Sequence, residues 1–288
     1  GEKTIIEVID AILNESAFSE IPGVAFIEDE EYIDTGLSPR IKEVDKIPWP
    51  MWDRYPIENY LSRGFGFNQV RGRPMPVMAT RGCPFRCTFC SSPQMWTTKW
   101  KSRDPADVIE EIKSYIEKFN IDHVEFYDLT AIIKKEWTLE FTELMIKNNI
   151  NIYWTLPSGT RSEALDEETL RAMKKGGCNR LTYAPESGSI TTLKRIKKKV
   201  KPDRMIKSIR CAEKEGISVK SNFIFGFPDQ TLYECWETYK FLFKLAWVGM
   251  HDVALFSFIP YPGSELYEQL KNSGKIPKDP VAYDAFLT

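Results

Sequence analysis

The sequence predicts an α/β fold, a partial (βα)6 TIM-barrel-like core in which a parallel sheet is surrounded by outer helices. From Val77 onward, short apolar, β-branched or aromatic runs alternate with longer amphipathic stretches, the pattern of repeated βα units. Six units can be counted, fewer than the eight of a closed barrel and in fewer than its roughly 250 residues, so the barrel is expected to be open-sided. A tight group of cysteines follows the first strand, on the face where loops after parallel strands collect and where barrels carry their chemistry.

The expected strands are Val77 to Thr80, His123 to Tyr127, Ile152 to Leu156, Arg180 to Ala184, Ser218 to Phe225 and Val253 to Ile259. Asp104 can cap the first helix, with Pro105 at its first position. Val108, Ile109, Ile112, Tyr115, Ile116 and Phe119 then form an apolar stripe that can cover the sheet. A second helix is expected from about Glu136 to Lys147, and Asp166 can cap a third that stops at Gly176 and Gly177. Pro202 to Glu215 and Leu232 to Leu245 are the next two, and Tyr261-Pro262-Gly263 turns into a last one.

Before Val77 the character changes. Residues 1–47 hold a helix (Thr4 to Leu13) and a hairpin (Gly23 to Ile27 with Tyr32 to Thr35), too little for a complete domain. Residues 48–76 carry Pro48, Pro50, Pro56, Pro74 and Pro76 with Trp49 and Trp52, an extended aromatic connector expected to pack on the barrel rather than a flexible linker. The barrel proper is expected over residues 77–288.

The composition, 42% hydrophobic and 28% charged over 288 residues, allows a large buried core and excludes disordered and collagen-like classes. A net charge of -2 provides no broad basic field for nucleic acid or an anionic membrane. No apolar run reaches the roughly 20 residues of a membrane span and no signal segment opens the chain, so it reads as soluble and cytoplasmic. The basic run from Lys194 to Arg204 reads as a solvated loop and helix entrance, with contact to a phosphate-bearing substrate as the minor alternative. It is left outside the site.

The chemistry concentrates in Cys83-Pro84-Phe85-Arg86-Cys87-Thr88-Phe89-Cys90. Its C-x3-C-x2-C spacing brings three thiolates from one loop around a common centre. Thiolates are the ligands of iron-sulfur clusters, and a [4Fe-4S] cube takes four, so three leave one iron open. Structural zinc is the alternative, but it needs a closed tetrahedral set, and the two histidines, His123 and His251, are distant in sequence and suit packed or capping roles. Cys178, Cys211 and Cys235 are scattered and suit burial as free thiols.

The segment Ala79 to Cys90 resembles the signature of the radical S-adenosylmethionine (radical SAM) superfamily, including the aromatic residue before the third cysteine. The resemblance implies that Cys83, Cys87 and Cys90 hold a [4Fe-4S] cluster, that the open iron chelates SAM, and that Phe89 lies by the adenine. It also implies that Glu186, in Ala184-Pro185-Glu186-Ser187-Gly188, contacts SAM, with a helix N-terminal acid as the alternative. Gly226, in Ile224-Phe225-Gly226-Phe227-Pro228, matches a backbone approach to the base. The end of the second strand, Phe126-Tyr127-Asp128-Leu129-Thr130, departs from the Gly-Gly-Glu or Asp-Asp pair of relatives, although Asp128 could still bind the SAM ammonium. Arg161 matches an arginine of relatives that could bind a carboxylate or else makes a surface ion pair.

A finer resemblance is to the cobalamin-dependent branch. It rests on Gly1-Glu2-Lys3-Thr4, the hairpin, Ile47-Pro48-Trp49-Pro50-Met51-Trp52-Asp53 and Pro260-Tyr261-Pro262-Gly263-Ser264-Glu265-Leu266-Tyr267. It implies that residues 1–47 are the tail of an upstream, cobalamin-binding module that would hold most of the cobalamin, and that the chain stops early at Thr288. The implied activity is SAM cleavage to a 5′-deoxyadenosyl radical for C–H activation in a methyltransferase or cyclase. The implied partners are a small-molecule or carrier-bound substrate and an electron donor such as flavodoxin or ferredoxin. A cobalamin-independent radical SAM enzyme and a non-catalytic iron-sulfur or zinc protein are the other readings.

Overall fold

In the computed structural model the described residues are 1–66, 72–130, 132–160 and 165–277. They divide into two compact units that meet in sequence at Trp49 and Pro50. The first holds helix α1 (Thr4–Leu13) and an antiparallel hairpin of β1 (Ala25–Glu28) and β2 (Glu31–Asp34). Asp29 and Glu30 both take positive φ, 48° and 67°, as a two-residue hairpin turn with matching twist requires.

In the second unit α2 (Glu58–Leu61) leads to β3 (Pro74–Val77), β4 (Thr80–Arg81), α3 (Ser92–Trp96) and β5 (Lys101–Ser102). The repeat follows as α4 (Pro105–Phe119), β6 (His123–Phe126), α5 (Lys135–Lys147), β7 (Tyr153–Thr160) and α6 (Glu167–Lys175). It continues through β8 (Cys178–Glu186), α7 (Ile190–Arg195), α8 (Pro202–Lys214), β9 (Ser218–Phe225), α9 (Leu232–Trp247), β10 (Asp252–Ser257) and α10 (Glu265–Asn272). Strands β3, β6, β7, β8, β9 and β10 form one six-stranded sheet in that order, every pair parallel. This is the open (βα)6 arrangement expected from the count of repeats.

One strand differs from expectation. The first strand of the sheet is Pro74–Val77, not Val77 to Thr80, and it pairs with His123–Phe126. Proline cannot donate to a ladder, so two prolines read as connector, yet β3 is an edge strand, where proline is tolerated. The chain leaves the sheet after Val77, and Thr80 and Arg81 pair antiparallel with Ser102 and Lys101.

The helices start where the sequence places their caps. Asp104 accepts from Ala106 N at 2.8 Å and Asp166 from Thr169 N at 2.9 Å, each satisfying an otherwise unpaired first-turn donor. Along the strands, Val124, Phe126, Trp154, Leu156, Leu181, Tyr183, Val219 and Phe223 are buried in one core with Val108, Ile109 and Ile112 of α4, Phe141 and Met145 of α5, and Met205 and Ile209 of α8. Each such side chain contributes about 1.5–3 kcal/mol on burial. Phe126, Phe141 and Trp154 meet edge to face with centroids 5.5–5.7 Å apart. The alternation of a strand turns His123 and Thr155 to the other, inner face, where His123 Nε2 lies 3.3 Å from Thr155 Oγ1.

Part of residues 50–66 packs on the barrel. Trp52 Nε1 donates to Tyr115 Oη at 3.1 Å, and Ile57 and the buried Leu61 join the core. Among the described residues no helix is long and apolar enough to cross a membrane.

Candidate active site

The cysteine loop leaves and re-enters the barrel through one ribbon. Residues 82–100 lie between β4 and β5, whose pairing closes the base of the excursion. Gly82 sits at φ 82°, and a Cβ there would come within 2.3 Å of Lys99 O, so only glycine lets the two arms approach. Behind the ribbon, Arg103 donates from its side chain to Met78 O at 2.9 Å and from its own N–H to Ala79 O at 2.8 Å. The same guanidinium pairs with the buried Glu111 at 2.5 Å.

The loop is clamped from later parts of the chain. Thr88, between the second and third cysteines, donates its N–H to Ile196 O at 3.0 Å and accepts from Leu266 N at 2.9 Å. The first contact comes from the turn after α7 and the second from the start of α10. Phe89 packs at 5.7 Å on Phe227, which in turn lies 5.4 Å from Phe258. Leu193, Ile196 and Leu266 complete this small apolar cluster at the C-terminal ends of the strands.

Cys83, Cys87 and Cys90 are free and partly exposed. Thr130 Oγ1 approaches Cys83 Sγ at 3.5 Å, and Ser92 N donates to Cys90 Sγ at 3.4 Å. Burial pushes the Cys87 thiol up, and the Lys198 ammonium opposes that rise. Burial raises Cys90 too, against the Ser92 N–H and Lys198. Binding to iron would displace these protons, since the thiolate is the ligand.

Glu186 ends β8 at φ 65°, a left-handed conformation that costs a non-glycine residue on the order of 1 kcal/mol. The pairing of β8 with β9 shifts register between Tyr183 and Glu186, and the shift delivers this carboxylate to the strand end. Glu186 Oε1 accepts from Lys198 Nζ at 2.8 Å, with the two side chains 9% and 11% exposed. Lys198 Nζ also lies 6.0 Å from the centre of the Phe89 ring. Gly226, directly after β9, has φ 81° and nothing within 4 Å of where a Cβ would stand, so its backbone is open to a flat ligand.

Two expected site residues fare differently. Asp128 is 1% exposed, and its carboxylate faces the chain. It accepts from the N–H groups of Ala79, at 3.2 Å, and Thr80, and from Thr80 Oγ1 at 2.5 Å. Burial raises it to about 6 despite these donors. With both oxygens engaged and almost no open surface, Asp128 holds the strand that enters the cysteine loop. Arg161 lies outside the described residues.

Lys198 is the residue that sequence reasoning missed. It belongs to the basic run read as solvated, yet the turn after α7 carries it into the site beside Cys87 and Cys90. The histidines do stay structural. His123 is buried at the start of β6 and held below its usual range by desolvation, and His251 Nδ1 accepts from Val219 N at 3.1 Å beside the start of β9. Cys178 is buried, which pushes its thiol up, away from ligand chemistry.

Three free thiols on one loop are the donor type of an iron-sulfur cube. Among the described residues no three His, Cys, Asp or Glu side chains form a group that could hold one metal ion. The thiolates of a [4Fe-4S] cube each take a different iron, so three on one loop can serve it without converging. The Phe89 ring, the Glu186 carboxylate and the unobstructed Gly226 stand on the loop and at the neighbouring strand ends.

Comparison with known proteins agrees with this reading. Residues 77–242, more than half of the chain, match the radical SAM superfamily. An uncharacterized methyltransferase of Pyrococcus horikoshii is 33% identical over 269 residues, covering 93% of this chain and 56% of that protein. The anaerobic magnesium-protoporphyrin IX monomethyl ester cyclase of Cereibacter sphaeroides is 26% identical over 283 residues, covering 96% of this chain and 44% of that protein. The chain thus spans about half the length of these curated relatives. Among solved structures, the radical SAM methyltransferase TsrM of Kitasatospora setae, with cobalamin and a [4Fe-4S] cluster bound, matches with a TM-score of 0.71 at 15% identity, over 95% of this chain and 53% of that one. The cobalamin-dependent enzyme OxsB matches with a TM-score of 0.76 at 17% identity, over 94% of this chain and 44% of that one. At these identities the structures attest the fold, while the family match covers the cysteine loop and most of the strand ends around it. The chain belongs to the radical SAM superfamily of enzymes.

Proposed function

We propose that this chain is the radical-generating core of an enzyme that cleaves SAM reductively, working within a cobalamin-dependent methyltransferase or cyclase. The observation that carries the proposal is three free thiols on one loop, with Glu186 at the end of β8 and Gly226 directly after β9.

Membership of the family implies a [4Fe-4S] cluster and SAM. Cys83, Cys87 and Cys90 would hold the cluster and leave one iron for the amino and carboxylate groups of the methionine part of SAM. The cluster, once bound and reduced, would supply one electron for cleavage of SAM to methionine and a 5′-deoxyadenosyl radical able to take hydrogen from a substrate carbon. The chain's own residues bind and orient. Glu186 would accept hydrogen bonds from the ribose or the ammonium, Gly226 would let the backbone lie against the adenine, and Phe89 would cover the base. The turn that follows α7 and the start of α10 hold the loop still while this occurs.

Residues 1–47 are read as the tail of a cobalamin-binding module, residues 48–76 as its connector, and the rest of a longer protein as the holder of most of the cobalamin. That reading is supported by the length of the curated relatives and by the cobalamin in the structural neighbours. The substrate would be a small or carrier-bound molecule and the electron donor a flavodoxin or ferredoxin.

The test is anaerobic reconstitution with iron and sulfide, followed by reductant and SAM. Production of 5′-deoxyadenosine by the wild type and its loss in Cys87→Ala is the expected result. No product from the iron-loaded wild type, or equal product from the variant, overturns the proposal.

A further inference from the structure

A largely buried lysine against the cysteine loop has no part in the scheme above. Lys198 Nζ is 2.8 Å from Glu186 Oε1 and 6.0 Å from the Phe89 ring centre, with its side chain 11% exposed. It is positioned rather than draped. Lys197 at φ 53° turns the chain, Lys198 N donates to Leu193 O at 2.9 Å, and Ile196 O accepts from the cysteine loop at 3.0 Å. Lys197 Nζ also pairs with Glu265 at the start of α10, 2.6 Å away, so the turn is fixed on both sides.

We propose that Lys198 is the fixed cation of the cluster site, a positioning residue whose ammonium offsets the negative charge of the thiolate-held cluster and raises its reduction potential. The inference rests on the cluster reading given above. An added electron makes a three-thiolate cluster more negative, and a cation in a poorly solvated place favours that state. The geometry places this cation against the loop itself: its ammonium stands over the ring of Phe89, between the second and third cysteines, and Ile196, two residues before it, accepts from Thr88 N of the same loop. The competing role is purely structural, with Lys198 doing no more than neutralising a buried Glu186.

A redox titration of the reconstituted protein without SAM, followed by the EPR signal of the reduced cluster, separates the two. Lys198→Met is expected to lower the midpoint by about 59 mV, a tenfold change in the oxidised-to-reduced ratio for a one-electron couple. Lys198→Arg, which keeps the charge, should stay within about threefold of the wild-type ratio, and Glu186→Gln should move the midpoint upward. A Lys198→Met midpoint within about twofold of the wild-type ratio overturns the inference, as does a shift of Lys198→Met and Glu186→Gln in the same direction, the mark of a merely structural pair. If Lys198→Met takes up no iron, Glu186→Gln decides alone, since an unchanged or lower midpoint contradicts an unopposed ammonium at the cluster. Wild-type protein that binds no iron overturns the function reading and this inference with it, whereas an iron-loaded wild type with an unmoved Lys198→Met overturns only the inference.

Discussion

The ends of β6 and β8 are two solutions to placing a carboxylate beside the cysteine loop. After β6, Asp128 is sealed against backbone N–H groups and a threonine hydroxyl, all within the protein. At the end of β8, Glu186 is nearly as buried but faces a lysine, in a left-handed backbone conformation that a regular strand end would not need. The first arrangement makes the carboxylate part of the scaffold. The second keeps it exchangeable, because a side-chain ammonium can yield to a ligand and a strand's own amides cannot.

The comparison can be broken at several points. Asp128→Ala should cost the most, about 4 kcal/mol, because two amides lose their acceptor in a buried place. Urea unfolding of the cluster-free protein measures it, and a loss under about 1 kcal/mol would return Asp128 to the candidates for ligand binding. Next is pH. Asp128 is raised to about 6 in the folded protein, against about 3.9 unfolded, so the folded state holds the extra proton between these values and stability falls as pH rises from about 4 to about 6. The difference between wild type and Asp128→Asn should follow that slope over a range on the order of 3 kcal/mol in urea titrations, and a flat difference would contradict the buried assignment.

A smaller effect sharpens the other end. A double-mutant cycle on Glu186→Gln and Lys198→Met should give a coupling of about 2 kcal/mol for this largely buried pair, read from the same unfolding curves. Coupling near zero would mean that each side chain is solvated independently. Smallest in stability is Gly226→Ala, about 1 kcal/mol for the positive φ, but its added methyl enters open space. Equilibrium binding of SAM to the reconstituted variant should weaken by about tenfold or more while iron content stays unchanged. Undiminished binding would remove Gly226 from the site.

Much of this arrangement is legible in the sequence because it is local. The C-x3-C-x2-C spacing lies within eight residues, and the caps Asp104 and Asp166 act on amides two or three residues away. The hydrophobic periodicity likewise reports the sheet and its covering helices one segment at a time. The first strand was misplaced because two prolines signal an extended connector in isolation, and only the position of β3 at the sheet edge makes them acceptable. Lys198 was unreadable for a different reason. Among the lysines and arginines of its run nothing in composition distinguishes it, and its partner, its ring and the thiols beside it are joined only by the fold. The surroundings of Asp128 were hidden in the same way: a carboxylate after a strand looks alike in sequence whether or not its oxygens meet the protein's own backbone.

The two hydrogen bonds of Thr88 also set an order of assembly. The loop that carries the thiols is made early, but the atoms that clamp it come from Ile196 and Leu266, the latter at the head of the last described helix. A ribosome that has not yet delivered Leu266 therefore carries a chain whose three thiols lie on a loop with one of its two Thr88 hydrogen bonds still unmade. The clamp on the thiol loop is in that sense a late event of biosynthesis, completed by a backbone amide synthesised more than half the chain after the cysteines themselves.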